Sequence, residues 1–280
     1  MQLGLSVILP ANNEAALIGK CLESLERSTD LANGAVEVIV VANACTDKTV
    51  EIADSFRKRI ESKGWTFSLL DLKEGGKLNA LNAGDAVAQA GTRVYLDADV
   101  EVEPDLLAQL ADALNTQEAR YASGRLVVAE PHGRISRAYR RIYSRVPFVT
   151  QGVPGCGVFA VNKAGRKRWG RFPDIISDDT FVRLQFTPRE RIGVMAAYEW
   201  PIVEGFGNLV RVRRRQDAGV LEIVEKYPEL LKNDDKHTLG AGGIARLVTT
   251  DPVGFAVYAA VALAVRLTSK LGGGTWSRGR

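Results

Sequence analysis

Cysteine and histidine are scarce in this chain, and no apolar run is long enough to read as a membrane span. The three cysteines, Cys21, Cys45 and Cys156, are widely spaced, odd in number and form no C-x-x-C pair. That argues against a disulfide framework or a thiolate zinc site and fits a reducing, cytoplasmic setting. The two histidines, His132 and His237, read as lone surface side chains before they read as metal ligands. Glycine is missing where a dinucleotide fold needs it. The turn after the first apolar run is Pro10-Ala11-Asn12-Asn13-Glu14, so G-x-G-x-x-G is absent there. A phosphate loop of the type G-x-x-x-x-G-K-[ST] is absent too, because Gly75-Gly76-Lys77 continues into Leu78. The opening Met1-Gln2-Leu3-Gly4 carries no basic region ahead of an apolar core, so no signal peptide is expected.

The one strongly apolar stretch, Val253 to Val265, falls short of the ~20 residues of a bilayer span. With Arg266 and Lys270 behind it and Trp276 in a glycine-rich basic tail, it reads as either a buried packing helix or a membrane-surface helix. The 280 residues are 46% hydrophobic and 25% charged, which suits one large globular domain or a domain with an appendage. A net charge of +4 is mild, but arginines crowd between Arg134 and Arg145 and between Arg211 and Arg215. Such clusters suit phosphate groups; they also suit solvated helix faces whose stems cover apolar surface. Nothing here calls for nucleic acid as a partner.

The first hundred residues alternate between apolar runs and amphipathic segments. Leu5–Leu9 reads as a strand ended by Pro10, followed by a helix from about Glu14 to Arg27. Val36–Val41 is a second strand, with Thr46 and Asp47 as caps for a helix through Val50, Ile52, Ala53 and Phe56. Thr66–Leu70 is a third, and Glu74-Gly75-Gly76-Lys77 leads into a helix ending near Val87. Arg93–Leu96 is a fourth. This rhythm predicts an α/β fold with a doubly wound, mostly parallel sheet. Ligands of such sheets bind outside the carboxyl ends of the strands. Pro10–Glu14, Ala42–Asp47 and Asp97–Asp99 should therefore meet in one crevice. Beyond it the pattern loosens: a strand at Val127-Val128, a helix in the arginine run, a loop over Gln151–Gly157 and a helix from Leu209 to Tyr227.

The residues at the fourth strand's end are Asp97-Ala98-Asp99. Two carboxylates one residue apart can hold a hard divalent ion together with the phosphates of a ligand, as Mg²⁺ is commonly held. Taken alone, the same triplet also describes a solvated strand-end turn. A crevice that is acidic, rich in amides and without a glycine cradle needs a metal bridge to bind phosphates.

Four ordered motifs resemble those of the family 2 glycosyltransferases of GT-A fold. They are Ser6 to Glu14, Val38 to Thr49, Gly76 to Gly84 and Tyr95 to Asp99. More loosely, Gly155 to Val161 resembles the acceptor-side loop and strand, and Ser177 to Val182 the acidic pair carrying the catalytic base. The resemblance implies an inverting transfer of one sugar from a nucleotide-diphosphate donor to a hydroxyl acceptor, lipid-linked or a polysaccharide precursor. It implies donor contacts from Pro10, Ala11, Asn12, Glu14, Asn43, Lys77, Asn82, Asp97 and Asp99. Asp99 and Asp97 would hold Mn²⁺ or Mg²⁺, and Asp179 would act as base beside Asp178. The residue-level alternative for that pair is capping of a helix N-terminus.

The chain departs from the family pattern in places. Ala42-Asn43-Ala44-Cys45 replaces the common Asp-Asp-Gly-Ser, and Asn12 replaces an aromatic. A UDP-sugar is favoured, and a GDP-sugar stays open, because the Asn43 amide can accept or donate. Arg213-Arg214-Arg215-Gln216-Asp217 stands where processive synthases carry Q-x-x-R-W, which argues for single-sugar transfer. Three segments are expected: residues 1–115 for the donor half, 116–205 for a smaller mixed acceptor-side half, and 206–280 for C-terminal helices and a basic tail. Competing readings are a sugar-nucleotide pyrophosphorylase, whose early glycine-rich basic signature is lacking, and a non-catalytic nucleotide-sugar-binding scaffold at a membrane. The expected location is cytoplasmic, peripheral on the inner face of the cell membrane.

Overall fold

The computed structural model describes residues 3–235 and 237–269; Lys270, Trp276 and the basic tail lie outside them. The strands are β1 (Leu3–Ala11), β2 (Ala35–Asn43), β3 (Thr66–Leu72), β4 (Thr92–Leu96), β5 (Glu101–Val102), β6 (Tyr121–Val128), β7 (Val158–Val161) and β8 (Arg191–Trp200). They form one sheet in the order β3-β2-β1-β4-β7-β6-β8-β5. β3, β2, β1 and β4 run parallel, and β7 turns the sheet mixed by pairing antiparallel with β4 and β6. The helices of the first half are α1 (Ile18–Glu26), α2 (Thr49–Ser55), α3 (Arg57–Glu61), α4 (Lys77–Val87) and α5 (Leu106–Leu114). Those of the second are α6 (Arg134–Tyr143), α7 (Pro147–Thr150), α8 (Lys163–Arg166), α9 (Asp178–Arg183), α10 (Phe206–Lys226), α11 (Ala241–Thr250) and α12 (Pro252–Ser269).

β2 is buried along its whole length, as a central parallel strand covered on both faces must be. Because side chains alternate across a strand, Val7, Leu9, Val38 and Val40 join one core with Leu22 of α1 and Leu107 of α5. Ile8, Ile39 and Val41 face the other core, with Leu81 of α4 and Phe181 of α9. A third apolar cluster lies outside the sheet, where Tyr139 and Tyr143 of α6 meet Leu209 of α10 and Val261 and Val265 of α12. Among the described residues no helix is long and apolar enough to cross a membrane.

The strand read at Val127-Val128 begins at Tyr121, and three further differences from the sequence reading fall in the first sixty residues. β1 continues through Pro10 to Ala11, which pairs with Ala42. The β4 partner is lost after Ile8, so the missing proline N–H falls where β1 is bordered on one side only. α1 starts at Ile18, because Glu14 to Leu17 form a turn closed on the Glu14 carbonyl. The helix after β2 is interrupted at Phe56, and only Asp47 caps it, accepting from the Thr49 N–H at 3.0 Å. Thr46 instead gives its N–H to Asn13.

Gly84 lets α4 close onto the sheet: a Cβ there would lie 2.6 Å from the Ile8 Cγ2 and 3.1 Å from the Val41 Cγ2. Gly84→Val should therefore overpack this contact and destabilise the fold by about 1–3 kcal/mol. A denaturant midpoint equal to that of the parent chain would exclude this packing.

Candidate active site

The cleft opens at the carboxyl ends of β1, β2 and β4, where the parallel strands stop and their side chains converge. Its volume is about 190 Å³, and it is lined by Pro10, Asn12, Glu14, Asn43, Lys77, Asp97, Ala98, Asp99 and Arg215. Three segments distant in sequence thus meet in one crevice. The structure does not bring the Ala11 and Asn82 side chains to it. Ala11 lends its carbonyl to the Asn43 amide at 2.8 Å, and Asn82 clamps Phe172 by accepting from its N–H and donating to its carbonyl.

The floor is stitched by amides. Asn13, at φ +52, accepts the N–H groups of Thr46 and Asp47 and so ties the β1 turn to the β2 turn. Asparagine tolerates that left-handed conformation better than most residues. Ala44 also has positive φ, +48, where the usual glycine would carry no strain. The buried Asn43 accepts from the Gly76 N–H at 3.0 Å and donates to Ala11, so its amide locks the start of α4 to β1. Asn12 gives its amide N–H group to the carbonyls of Asn43 and Ala44. Flipping that amide would set its oxygen against two carbonyls, so its orientation is fixed. The Asn12 Oδ1 is left buried, with no partner among the described residues.

Charge is organised by Lys77 at the first turn of α4. Its Nζ lies 2.8 Å from Asp97 Oδ1 and 3.1 Å from Asp178 Oδ1. Burial works against the ammonium, but the carboxylates of Asp178 and Asp97 outweigh it and hold its pKa above the usual lysine range. Asp97 is set in place by its own N–H, which donates to the Gly157 carbonyl at 2.8 Å. That carbonyl belongs to the loop ahead of β7, where Gly155 and Gly157 have φ of +68 and +83. A Cβ on Gly155 would fall 1.6 Å from the Tyr121 hydroxyl, so only glycine fits.

Asp178 and Asp179 lie in the first turn of α9, whose N-cap is Ser177. Asp179 Oδ1 accepts from the Thr180 N–H at 2.6 Å, a first-turn contact, while Asp178 reaches Lys77. Asp178 is 4% exposed, whereas Asp179 is half-buried. Burial, then the neighbouring Asp179 and Asp97 charges, push the Asp178 carboxyl up to about 6 against the pull of Lys77. Burial likewise raises Asp179.

Two lining residues were not on the sequence-based list of site residues, Ala98 within the D-x-D and Arg215. Arg215 comes from the middle of α10, and the only signal for it was its arginine cluster. Both histidines are exposed, and no group of three metal-ligand side chains occurs among the described residues.

An α/β sheet of this order, with an acidic cleft at the carboxyl ends of its parallel strands, has the GT-A fold. Its structural relatives agree. A mannosyltransferase from Pyrobaculum calidifontis, solved with GDP-Man and Mn²⁺, superposes with a TM-score of 0.58 over 98% of this chain and 77% of its own, at 20% identity. TarS residues 1–349 from S. aureus, solved with UDP, gives 0.55 over 89% and 72% at 16% identity. A family model for glycosyl transferase family 2 matches residues 6–176, more than half of the sequence, and the chain belongs to that family. A PGL/p-HBAD biosynthesis glycosyltransferase of Mycobacterium bovis is 31% identical over 114 residues, 40% of this chain and 42% of that relative. The match thus spans less than half the relative's length.

A folded-state carboxyl pushed above its ordinary value of 3.8 binds its proton more tightly than the unfolded chain does. Stability should then fall as pH rises from about 4 to about 6, the window between the two values. Asp178→Asn removes that proton site and should flatten this part of a melting-temperature profile. An unchanged slope would mean that Asp178 titrates normally.

Proposed function

We propose that this protein is an inverting, metal-dependent glycosyltransferase that moves one sugar from a nucleotide-diphosphate donor to a hydroxyl acceptor. The carrying observation is the single cleft lined by Asp97, Asp99, Lys77 and Arg215, with the Asp178–Asp179 pair joined to it through Lys77. Two carboxylates without thiol or imidazole suit a hard cation, Mn²⁺ or Mg²⁺, with the donor's phosphates completing its coordination. Asp99 and Asp97 would hold it, and when bound it would neutralise charge on the departing diphosphate.

The remaining work falls to the chain's own groups. Arg215 supplies a cation that stays charged at any working pH and can grip phosphate oxygens. Lys77 bridges Asp97 and Asp178 and adds positive charge beside the diphosphate. Asn12 Oδ1 is an unmet acceptor that a base N–H would satisfy, with Asn43 supporting it from behind. A UDP-sugar is the favoured donor, and a GDP-sugar would also present such an N–H. Asp179, half-buried and not engaged with Lys77 by an ion pair, is the carboxylate free to take the acceptor's proton. As that oxygen attacks from the face opposite the leaving diphosphate, configuration inverts without a covalent intermediate. Asp178 is the positioning residue behind it. The acceptor is read as lipid-linked or a polysaccharide precursor, met by a cytoplasmic enzyme at a membrane's inner face.

Asp99→Asn should weaken Mn²⁺-supported UDP binding several-fold while leaving the melting temperature nearly unchanged. Equal UDP affinity in EDTA and in Mn²⁺, by calorimetry, would exclude the metal. Asp179→Asn should keep donor affinity and lower turnover by ~10²-fold or more. Should Asp178→Asn prove far more damaging to turnover, the base would be Asp178. Arg215→Ala should cost UDP much more affinity than uridine, since only the former carries the diphosphate. Calorimetry with both ligands measures the difference.

A further inference from the structure

α12 has two unlike sides. Gly254, Val261 and Val265 face inward, and a Cβ on Gly254 would lie 3.0 Å from the Ala138 carbonyl of α6. The outer side carries Val253, Ala256, Ala259, Ala260, Leu263 and Leu267, spaced three or four residues apart along one stripe. Val253, Leu263 and Leu267 are 65%, 58% and 62% exposed. α11, packed on α12, adds Ile244 and Val248, one turn apart and also exposed. A continuous apolar helix face open to solvent is uncommon on a soluble domain and marks a contact surface.

The charge around this face identifies its occupant. Residues 134–150 and 238–269, which hold α6, α7, α11 and α12, contain seven arginines, no lysine and one acid, Asp251. That acid is taken: Arg141 binds it through two nitrogens, at 2.6 and 3.0 Å. Arg145 lies 3.4 Å from the Thr250 hydroxyl, which brings it to the α11–α12 junction next to Val253. Arg134, Arg137 and Arg246 are exposed. A second copy of the chain would bring two like-charged rims together, which is unfavourable. Anionic headgroups around an acyl interior match both the rim and the stripe.

We propose that the outer face of α11 and α12, rimmed by the α6 arginines, docks this protein onto an anionic lipid surface without crossing it. The inference gives the membrane location proposed above its surface, and it does not depend on sugar transfer, because the face lies on side chains separate from those of the cleft. Its place also gives the apolar stretch a double role. One side packs the third cluster against α6 and α10, and the other remains free for lipid.

Flotation of the full chain tests this, with vesicles of phosphatidylcholine alone or mixed with phosphatidylglycerol, in the absence of any donor. The protein should float with the anionic vesicles at low salt and be released at high salt. Replacing Val253, Leu263 and Leu267 together by Glu should lower vesicle affinity by about tenfold or more. UDP affinity and far-ultraviolet circular dichroism should stay unchanged. The milder triple replacement of Arg134, Arg137 and Arg145 by Gln should remove the preference for anionic over neutral vesicles and leave the apolar stripe intact. Absence of flotation at low salt, or equal flotation of parent and Glu variant, would overturn the proposal. So would a dimer in light scattering that the Glu variant abolishes, which would assign the face to a second copy. Because no donor is present, these outcomes are independent of whether the glycosyltransferase reading holds.

Discussion

The Lys77 ammonium, shared between Asp97 and Asp178, is the contact on which the rest of the site depends. It joins three elements that sequence separates widely: the start of α4, the end of β4 and the start of α9. Removing the lysine would leave two carboxylates facing one another in a partly dry cleft, where like charges are expensive. The same lysine restrains the burial-driven rise of the Asp178 carboxyl. It also fixes the distance between the end of β4 and the start of α9.

Around that contact the floor of the cleft is held by amides. Asn43 bridges Ala11 and Gly76, Asn13 bridges the turns after β1 and β2, and Asn12 spans the carbonyls of Asn43 and Ala44. Neutral amides satisfy donors and acceptors at once, so the floor is rigid without adding charge beside Asp97 and Asp99. The remaining orphan, the Asn12 oxygen, is a buried acceptor whose hydrogen bond has to come from elsewhere.

The C-terminal helices serve the cleft and the outer surface together. α10 contributes Arg215 to the cleft at its middle, while Leu209 near its start joins the apolar cluster with α6 and α12. Arg213 pairs with Asp217 one turn on, and Tyr139 stacks on Tyr258 at 5.2 Å. The segment that presents an arginine to the cleft is thus braced by the same helix whose outer stripe is exposed. Whatever binds the stripe bears on a helix packed against α10.

By itself the sequence determined the alternation of strand and helix through β4, because periodicity and glycine turns are local properties. It determined that Pro10–Glu14, Ala42–Asp47 and Asp97–Asp99 meet at one sheet edge, since parallel strands leave their carboxyl ends on the same side. The shortfall of the 253–265 stretch as a bilayer span was equally legible. Other features needed the tertiary structure. Whether Pro10 ends β1 depended on where β4 stops pairing, and no proline or glycine marks the break at Phe56. Which way the Asn12 and Asn43 amides point was set by carbonyls supplied from other segments. Arg215 entered the cleft because α10 packs beside α9, with Gly219 against Ser177 and Ile176, a placement no local pattern encodes. The arginine run and the apolar helix were each ambiguous in the sequence. Packing α6 against α12 buried one side of each helix and left the other exposed, which is a property of the pair and not of either segment.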